Sequence, residues 1–181
     1  MKPELDHIEA LVVSAQQGDV DAFSEIYDSF LTPIYRFVFF RVSSEVEAED
    51  ITSEVFFKTW KNLKKYQVQE GASFSSWIFR IAHNEIIDFY RGKKEYIEIS
   101  DEIEDEHPLW DGKKETERKI EHDRLRKVLD SLPKMQAEAI ILKFFSERSN
   151  MEIAEILGKT ETAIRILQSR GLKTLKTLFD E

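Results

Sequence analysis

Residues 150–170 read NMEIAEILGKTETAIRILQSR. Ile153, Ala154 and Leu157 recur at helical spacing, and Ala163, Ile164 and Leu167 repeat the pattern after a break at Gly158, Lys159 and Thr160. Ser149 with Glu152 has the S-x-x-E form of a capping box, Gly158 supplies a C-terminal stop, and Thr160 is placed to cap a second helix. Two short helices with this separation predict a helix-turn-helix, whose second helix enters the DNA major groove while the first braces it. Thr162, Arg165, Ile166, Ser169 and Arg170 then face outward. Arg165 lies on the turns that can reach a guanine edge by a bidentate contact. Arg170, far from the N-terminal end, is placed for phosphate. A plain helical hairpin with a solvated basic face has the same periodicity, so the rest of the chain must decide between them.

Working outward, helical signals dominate and no run of alternating β-branched residues competes with them. Upstream of the motif, helices are expected over 116–130 and over 133–145, with Ser131 as cap and Pro133 in the first turn. Nearer the start, one amphipathic helix is expected over 7–17. A second follows Asp19 and carries Phe23, Ile26, Tyr27, Phe30, Ile34 and Phe37, with Pro33 expected to kink or interrupt it. Ser44 and Glu47 form another capping box before a helix through Ile51, Val55, Phe56, Trp60 and Leu63. From Gly92 to about Glu115 the period fails in an acidic, Pro- and Gly-containing stretch that reads as a linker. The expected architecture is all-α: a helical bundle over 1–94, an acidic linker over 95–115 and a helix-turn-helix domain over 116–181.

Charge follows the same division. The 181 residues carry a net charge of -9, yet residues 1–57 hold 3 Lys or Arg against 12 Asp or Glu, and residues 58–94 hold 8 against 3. Residues 95–117 return to 2 against 10, and residues 118–179 to 13 against 8. Screening confines exposed charges to a reach of ~8 to 10 Å, so two basic blocks can serve nucleic acid inside an acidic protein. There is no cysteine, which excludes disulfides and thiolate metal sites and fits a reducing compartment. No stretch has the ~20 apolar residues that span a bilayer, and the start lacks the basic flank of a signal peptide. A soluble, cytoplasmic protein is expected.

The first basic block contains SFSSWIFRIAHNEIIDFYRGKK, residues 73–94. Phe74, Trp77, Ile78, Ile81 and Phe89 form an apolar stripe, while Ser76, Arg80, His83, Asn84 and Arg91 recur at three- and four-residue steps on another face, followed by Lys93 and Lys94. An amide, cations and nearby aromatic rings are what unstacked bases require.

In order and spacing, AEDITSEVFFKTWKNLKKY, FSSWIFRIAHNEIIDFYRGKK and LPKMQAEAIILKFF with MEIAEILGKTETAIRILQSRGLKTLK resemble regions 2.2, 2.3 to 2.4 and 4 of bacterial sigma factors of the extracytoplasmic-function type. The resemblance implies a factor that binds core RNA polymerase, through the clamp helices and flap, and directs it to promoter DNA. It implies that Asp50, Glu54 and Trp60 meet the polymerase clamp, and that residues 133–145 support docking on the flap. Ser76, Arg80, His83, Asn84, Arg91, Lys93 and Lys94 would serve the minus 10 element, with the loop from Tyr66 to Phe74 placed to hold a flipped base. Lys159, Thr160, Thr162, Arg165, Ile166, Ser169 and Arg170 would serve the minus 35 element. An anti-sigma protein is a further implied partner. The sequence departs from the family pattern at Ser53, at Ile78 after Trp77, at Glu147 and Arg148 in place of a glycine and an apolar residue, and at Gln168, which needs a polar partner or solvent.

Two other classes bear comparison. An enzyme finds no phosphate-cradling loop, no HExxH pair and no nucleophile motif, and the four histidines are scattered singly. No catalytic residue, metal site or cofactor is expected. A dimeric helix-turn-helix repressor with a helical sensor domain shares the periodicity. It would bind a palindromic operator unaided, whereas a sigma factor requires polymerase.

Overall fold

The computed structural model describes residues 3–67, 73–99 and 124–180, with side chains described for 7–67, 73–93 and 124–178. All the regular structure among these residues is helical. The first domain comprises α1 (Pro3–Gln16), α2 (Val20–Phe39), α3 (Glu45–Asn62) with a 3-10 turn at Leu63–Lys65, and α4 (Phe74–Ile99). The second comprises α5, described over 124–130, α6 (Lys134–Ile140) running into a π turn at Ile141–Phe145, α7 (Asn150–Leu157) and α8 (Glu161–Asp180).

Capping explains where several helices begin. Asp19 accepts a bond from the Ala22 N–H at 3.1 Å. Ser44 and Glu47 close one reciprocal capping box, and Ser149 and Glu152 close another. Each satisfies backbone donors that the first helical turn leaves open. Gly158 ends α7 at φ 62°, a left-handed conformation that a side chain would strain.

Packing changes several expectations. Pro33 does not end α2, which runs through it to Phe39. The second domain lies against that region, and Ser146 Oγ donates to the Pro33 carbonyl at 3.2 Å. Ser131 does not cap α6: Pro133 occupies the N-cap position and Ser131 Oγ donates to the Val128 carbonyl instead. Helix α4 continues to Ile99, five residues into the stretch expected to be linker. The rest of that stretch, from residue 100, lies outside the described residues.

The buried stripe of α4 is also rotated from its expected position. Phe74, Ile78, Phe79, Ala82 and Ile86 are buried, while Trp77, Ile81 and Phe89 are only partly covered. The cause is a second neighbour. Helix α4 packs on α3 and also on α7, so an additional strip of its surface leaves water. In the second domain the core between α7 and α8 is Ile153, Ala154, Ile156 and Ile164, closed by partly buried Leu157 and Leu167. Gly171 lets α8 approach α6, since a Cβ there would meet Ile140 Cδ1 at 2.5 Å.

Candidate nucleic-acid and polymerase interface

Three helical faces hold the residues singled out by the sequence. On α3, Asp50 and Glu54 are exposed, with Val46 and Phe57 exposed near them. Trp60 is 43% exposed, its ring set edge-on to Phe23 at 4.7 Å. Glu54 lies 3.8 Å from Lys58, whose ammonium is drawn more strongly to Glu85 at 2.7 Å. That bond to Glu85, against a smaller opposing effect of burial, raises the Lys58 pKa and keeps it charged. Val46 and Phe57 escaped the sequence reading, although Val46, Asp50, Ser53 or Glu54, and Phe57 follow one another at three- and four-residue steps. They form an apolar and acidic ridge of the kind found in protein interfaces.

Lys159 and Thr160 in the turn before α8, and Thr162, Arg165, Ile166, Ser169 and Arg170 on α8, are all exposed, as the spacing predicts. Arg165 is held by Glu161 one turn earlier at 3.1 Å, an exposed pair that is easily exchanged for another acceptor. Thr160 Oγ1 caps the helix through the Ala163 N–H. Gln168 finds the partner it needs, donating to Asn150 Oδ1 at 3.0 Å and tying the two helices of the motif together.

On α4 the picture divides. Asn84 and Arg91 are exposed. Arg91 pairs with Asp88 at 3.0 Å and Lys93 with Glu47 at 3.6 Å, while the Lys94 side chain lies outside the described residues. Ser76, expected on the polar face, is instead fully buried and bonded to Ser73 at 3.1 Å, because the rotated core stripe takes in the first turn of the helix. Arg80 donates to the Glu155 carbonyl of α7 at 3.0 Å, and His83 lies 3.5 Å from Glu138 of α6. Two of the expected DNA-facing side chains therefore touch the second domain.

That contact between domains has three polar centres and an aromatic one. Arg41 meets Glu138 at 3.2 Å, with side chains 10% and 2% exposed. Burial pushes the Glu138 carboxyl upward, but His83 and Arg41 outweigh it and hold the pKa below its ordinary value. Glu138 Oε2 has no hydrogen-bond donor of good geometry, and His83 Nε2 lies 3.5 Å from it. Ser75 Oγ donates to Glu152 Oε1 at 2.6 Å, and Arg148 donates to Ser75 Oγ at 2.6 Å while its guanidinium lies 5.0 Å from the Phe79 ring centre. Burial opposes ionisation of Glu152 as well, and the bonds from Ser75 and Ser149 with the charge of Arg148 lower its pKa overall. Arg126 of α5 donates to the carbonyls of Ser43 and Phe39 at 3.0 Å each. Phe40 and Phe145 meet at 4.4 Å between ring centres.

The turn carrying Arg148 is also resolved. Glu147, at a position where a glycine was expected from the resemblance, has φ 57°. In the segment 133–145, Ala137, Ala139, Ile140, Ile141 and Leu142 are buried, and Phe144 is left exposed. Helices α2 and α8 cover it. Between α3 and α4 a cavity of about 290 Å³ is lined by Asn62, Lys65, Tyr66, Trp77 and Ile81. Burial, with the charges of Glu9 and Glu155, drives the Tyr66 pKa upward, so its phenol stays protonated as a donor. Asn62 and Lys65 were not singled out in the sequence, where nothing distinguishes them from surface residues. Among the described residues no helix is long and apolar enough to cross a membrane.

Comparison with known proteins agrees with this arrangement. The sigma-70 region 2 family model matches residues 26–96, and the sigma-70 region 4 model matches residues 122–175. The extracytoplasmic-function (ECF) RNA polymerase sigma factor BldN of Streptomyces coelicolor is 32% identical over 180 residues, covering 94% of this chain and 65% of BldN. The ECF sigma factor SigW of Bacillus subtilis is 27% identical over 179 residues, covering 93% of this chain and 95% of SigW. The chain thus spans just under two thirds of BldN and nearly all of SigW. Among solved structures, CnrH in complex with the cytosolic domain of CnrY superposes with a TM-score of 0.76 at 21% identity, covering 96% of this chain and 97% of that one, a likeness of fold. The sigma factor RpoE in complex with the anti-sigma factor NepR from Bartonella quintana gives 0.71 at 26% identity, covering 87% and 96%. With both conserved regions matched in order and the two helical domains in place, the chain belongs to the sigma-70 family, among the sigma factors of the extracytoplasmic-function type.

Proposed function

We propose that this chain binds core RNA polymerase and directs it to a set of promoters, assisting strand opening without a covalent step of its own. The ridge of Asp50, Glu54, Phe57 and Trp60 on α3 docks on the polymerase clamp, where carboxylates steer and orient while the aromatic rings supply buried area. On α4, Asn84 reads a base of the minus 10 element, since its amide offers a donor and an acceptor in one plane. Arg80, Arg91, Lys93 and Lys94 neutralise phosphate, His83 lies on the same helix among them, and buried Ser76 shapes the first turn of that helix. The cavity beside Tyr66 and Trp77 accepts a base extruded from the duplex, and its contacts must offset an unstacking cost of a few kcal/mol.

The observation that carries this reading is the α8 face, where every expected minus 35 residue is exposed, on the second helix of a well-formed helix-turn-helix or in the turn that leads into it. Arg165 reads a base edge, Ile166 can meet a thymine methyl, and Lys159, Thr160, Thr162, Ser169 and Arg170 bind backbone or flanking edges. The work takes place in the cytoplasm, with an anti-sigma protein as a further partner, as in the RpoE complex. The domain division is 1–94, 95–115 and 116–181, with the first unit reaching at least Ile99 because α4 does.

The test is charge reversal of the docking ridge. Asp50→Lys with Glu54→Lys should weaken binding to core polymerase in a titration while leaving helical content unchanged, because exposed carboxylates contribute little to folding. Unchanged affinity would place the polymerase contact elsewhere.

A further inference from the structure

Helix α1 has no part in the reading just given, and it lies ahead of the residues that the sigma-70 region 2 model matches. Its apolar side joins the core of the first domain: Val12 and Ala15 are buried, and Ile8 and Leu11 pack against them. Two of its polar side chains reach across to the 3-10 turn and to α4. Gln16 Nε2 donates to the Leu63 carbonyl at 2.9 Å and to the Tyr66 carbonyl at 2.8 Å. Both partners are acceptors, so one amide nitrogen gives its two hydrogens to carbonyls that the end of a helical turn leaves open. Glu9 Oε1 accepts from the Phe74 N–H at 3.1 Å, in the first turn of α4, where a carboxylate also meets the positive end of the helix dipole. Glu9 and Gln16 are about two helical turns apart, which puts them on one face of α1.

The backbone points they hold are the ones from which the cavity beside Tyr66 and Trp77 takes its shape. Tyr66 leaves the 3-10 turn with an extended backbone, at φ -64° and ψ 130°, while its own N–H returns to the Leu63 carbonyl. Its ring centre lies 4.9 Å from that of Trp77 and 5.3 Å from that of Phe74, and Phe74 and Trp77 are 5.4 Å apart. Phe74 is fully buried behind the two rings that line the cavity. A shift of the chain at Tyr66 or at Phe74 therefore moves the aromatic wall. Asn62, also lining the cavity, donates through Nδ2 to the Lys58 carbonyl at 2.8 Å, so Oδ1 is the group it offers an occupant. A wall that had to be ordered whenever a base entered would subtract that cost from binding, and a wall held beforehand avoids it.

We propose that α1 is the brace of the base site: Gln16 and Glu9 hold the backbone at Tyr66 and Phe74, so that the aromatic wall stands formed before an unstacked base arrives. Both are positioning residues and touch no DNA themselves. This rests on the assignment of the cavity to a base, and the experiment separates the two.

Gln16→Met and Glu9→Met keep the side-chain length and remove the bonds, and Glu9→Gln keeps an acceptor for the Phe74 N–H. Each full-length variant is checked for unchanged helical content, then combined with core polymerase and compared with the parent in a promoter-library selection. Trp77→Ala, which removes part of the wall itself, marks the promoter position that the cavity serves, and Asn62→Ala marks it if Trp77→Ala fails to fold. Gln16→Met and Glu9→Met should each reduce base preference at that same position by about fivefold, the worth of one net hydrogen bond. Promoters without the preferred base there should be unaffected, and Glu9→Gln should restore most of what Glu9→Met loses. With Trp77→Ala already present, Gln16→Met should have no further effect on that position, because brace and wall act through one site.

Equal losses at all promoters in both brace variants would make α1 a structural helix only and overturn the proposal. So would intact preferences in Gln16→Met and Glu9→Met beside a flattened position in Trp77→Ala, with the base assignment left standing. Glu9→Met keeps the test open if Gln16→Met fails to fold. If neither Trp77→Ala nor Asn62→Ala flattens any position, the cavity takes no base, and the assignment falls together with the brace.

Discussion

Helices α4 and α8 look alike in sequence, each an amphipathic helix with Arg, Ser and an apolar stripe, yet the structure treats their polar faces differently. On α8 every expected residue is exposed. On α4, Ser76 is buried and Arg80 and His83 are engaged by the other domain. Among the described residues helix α8 packs mainly on α6 and α7 of its own domain. Helix α4 is held between its own domain and α7. A polar face read from periodicity is a free face only when nothing outside the local fold packs on it.

The largest expected effect lies where the two helices differ. Glu138→Ala leaves Arg41 buried without its carboxylate, and loss of one partner of a buried pair costs about 3 kcal/mol of stability or more. Denaturant unfolding should show that loss, with the same substitution loosening the interdomain contact. Acid should act in the same direction. The pKa values of Glu138 and Glu152 are lowered in the folded protein, so the stability they confer is present above the ordinary carboxylate value of 4.5 and is lost as pH falls through the lowered values. A stability profile that is flat from pH 6 to pH 3 (roughly the titration range of carboxylates) would contradict this account of the interface.

A smaller effect isolates α8. Gly171→Val drives a side chain into Ile140, and overpacking of this kind costs about 1 to 3 kcal/mol. Unfolding should then begin in the second domain, with the aromatic signals of the first retained. If both domains lose stability equally, α8 is coupled to α4 more tightly than its contacts indicate.

Much of this was legible in the sequence because it is local. Both capping boxes, the Gly158 stop and the Thr160 cap follow from side chains three or four residues apart, and the α8 face follows from its period. Of the two outcomes expected at Pro33, interruption does not occur, since α2 continues through it as a single helix. The Arg41, His83 and Glu138 cluster joins residues far apart in the chain, and the local period that singles out His83 says nothing of its partner. Only the replacement of an apolar residue by Arg148 hinted that this turn has a polar neighbour. The cavity at Asn62, Lys65 and Tyr66 depends likewise on how α3 meets α4.

The finest distinction concerns base reading. Asn84→Ala should shift preference at one minus 10 position by ~1 to 3 kcal/mol, and Arg165→Ala should shift preference only in the minus 35 element by a similar amount. Arg91→Ala, by contrast, should weaken all promoters alike and lower the salt dependence. A promoter-library selection reads all three. An Asn84→Ala variant that weakens every sequence equally would make that residue a backbone contact.

The central claim is that two helical faces on one chain direct polymerase to paired DNA elements. Run-off transcription on a library of genomic fragments, with core polymerase in the presence and absence of this protein, tests it most directly. The account predicts new start sites that depend on both components and share two motifs at a fixed spacing. No new start sites, together with tight binding of the protein alone to a palindromic sequence, would contradict it and favour a repressor.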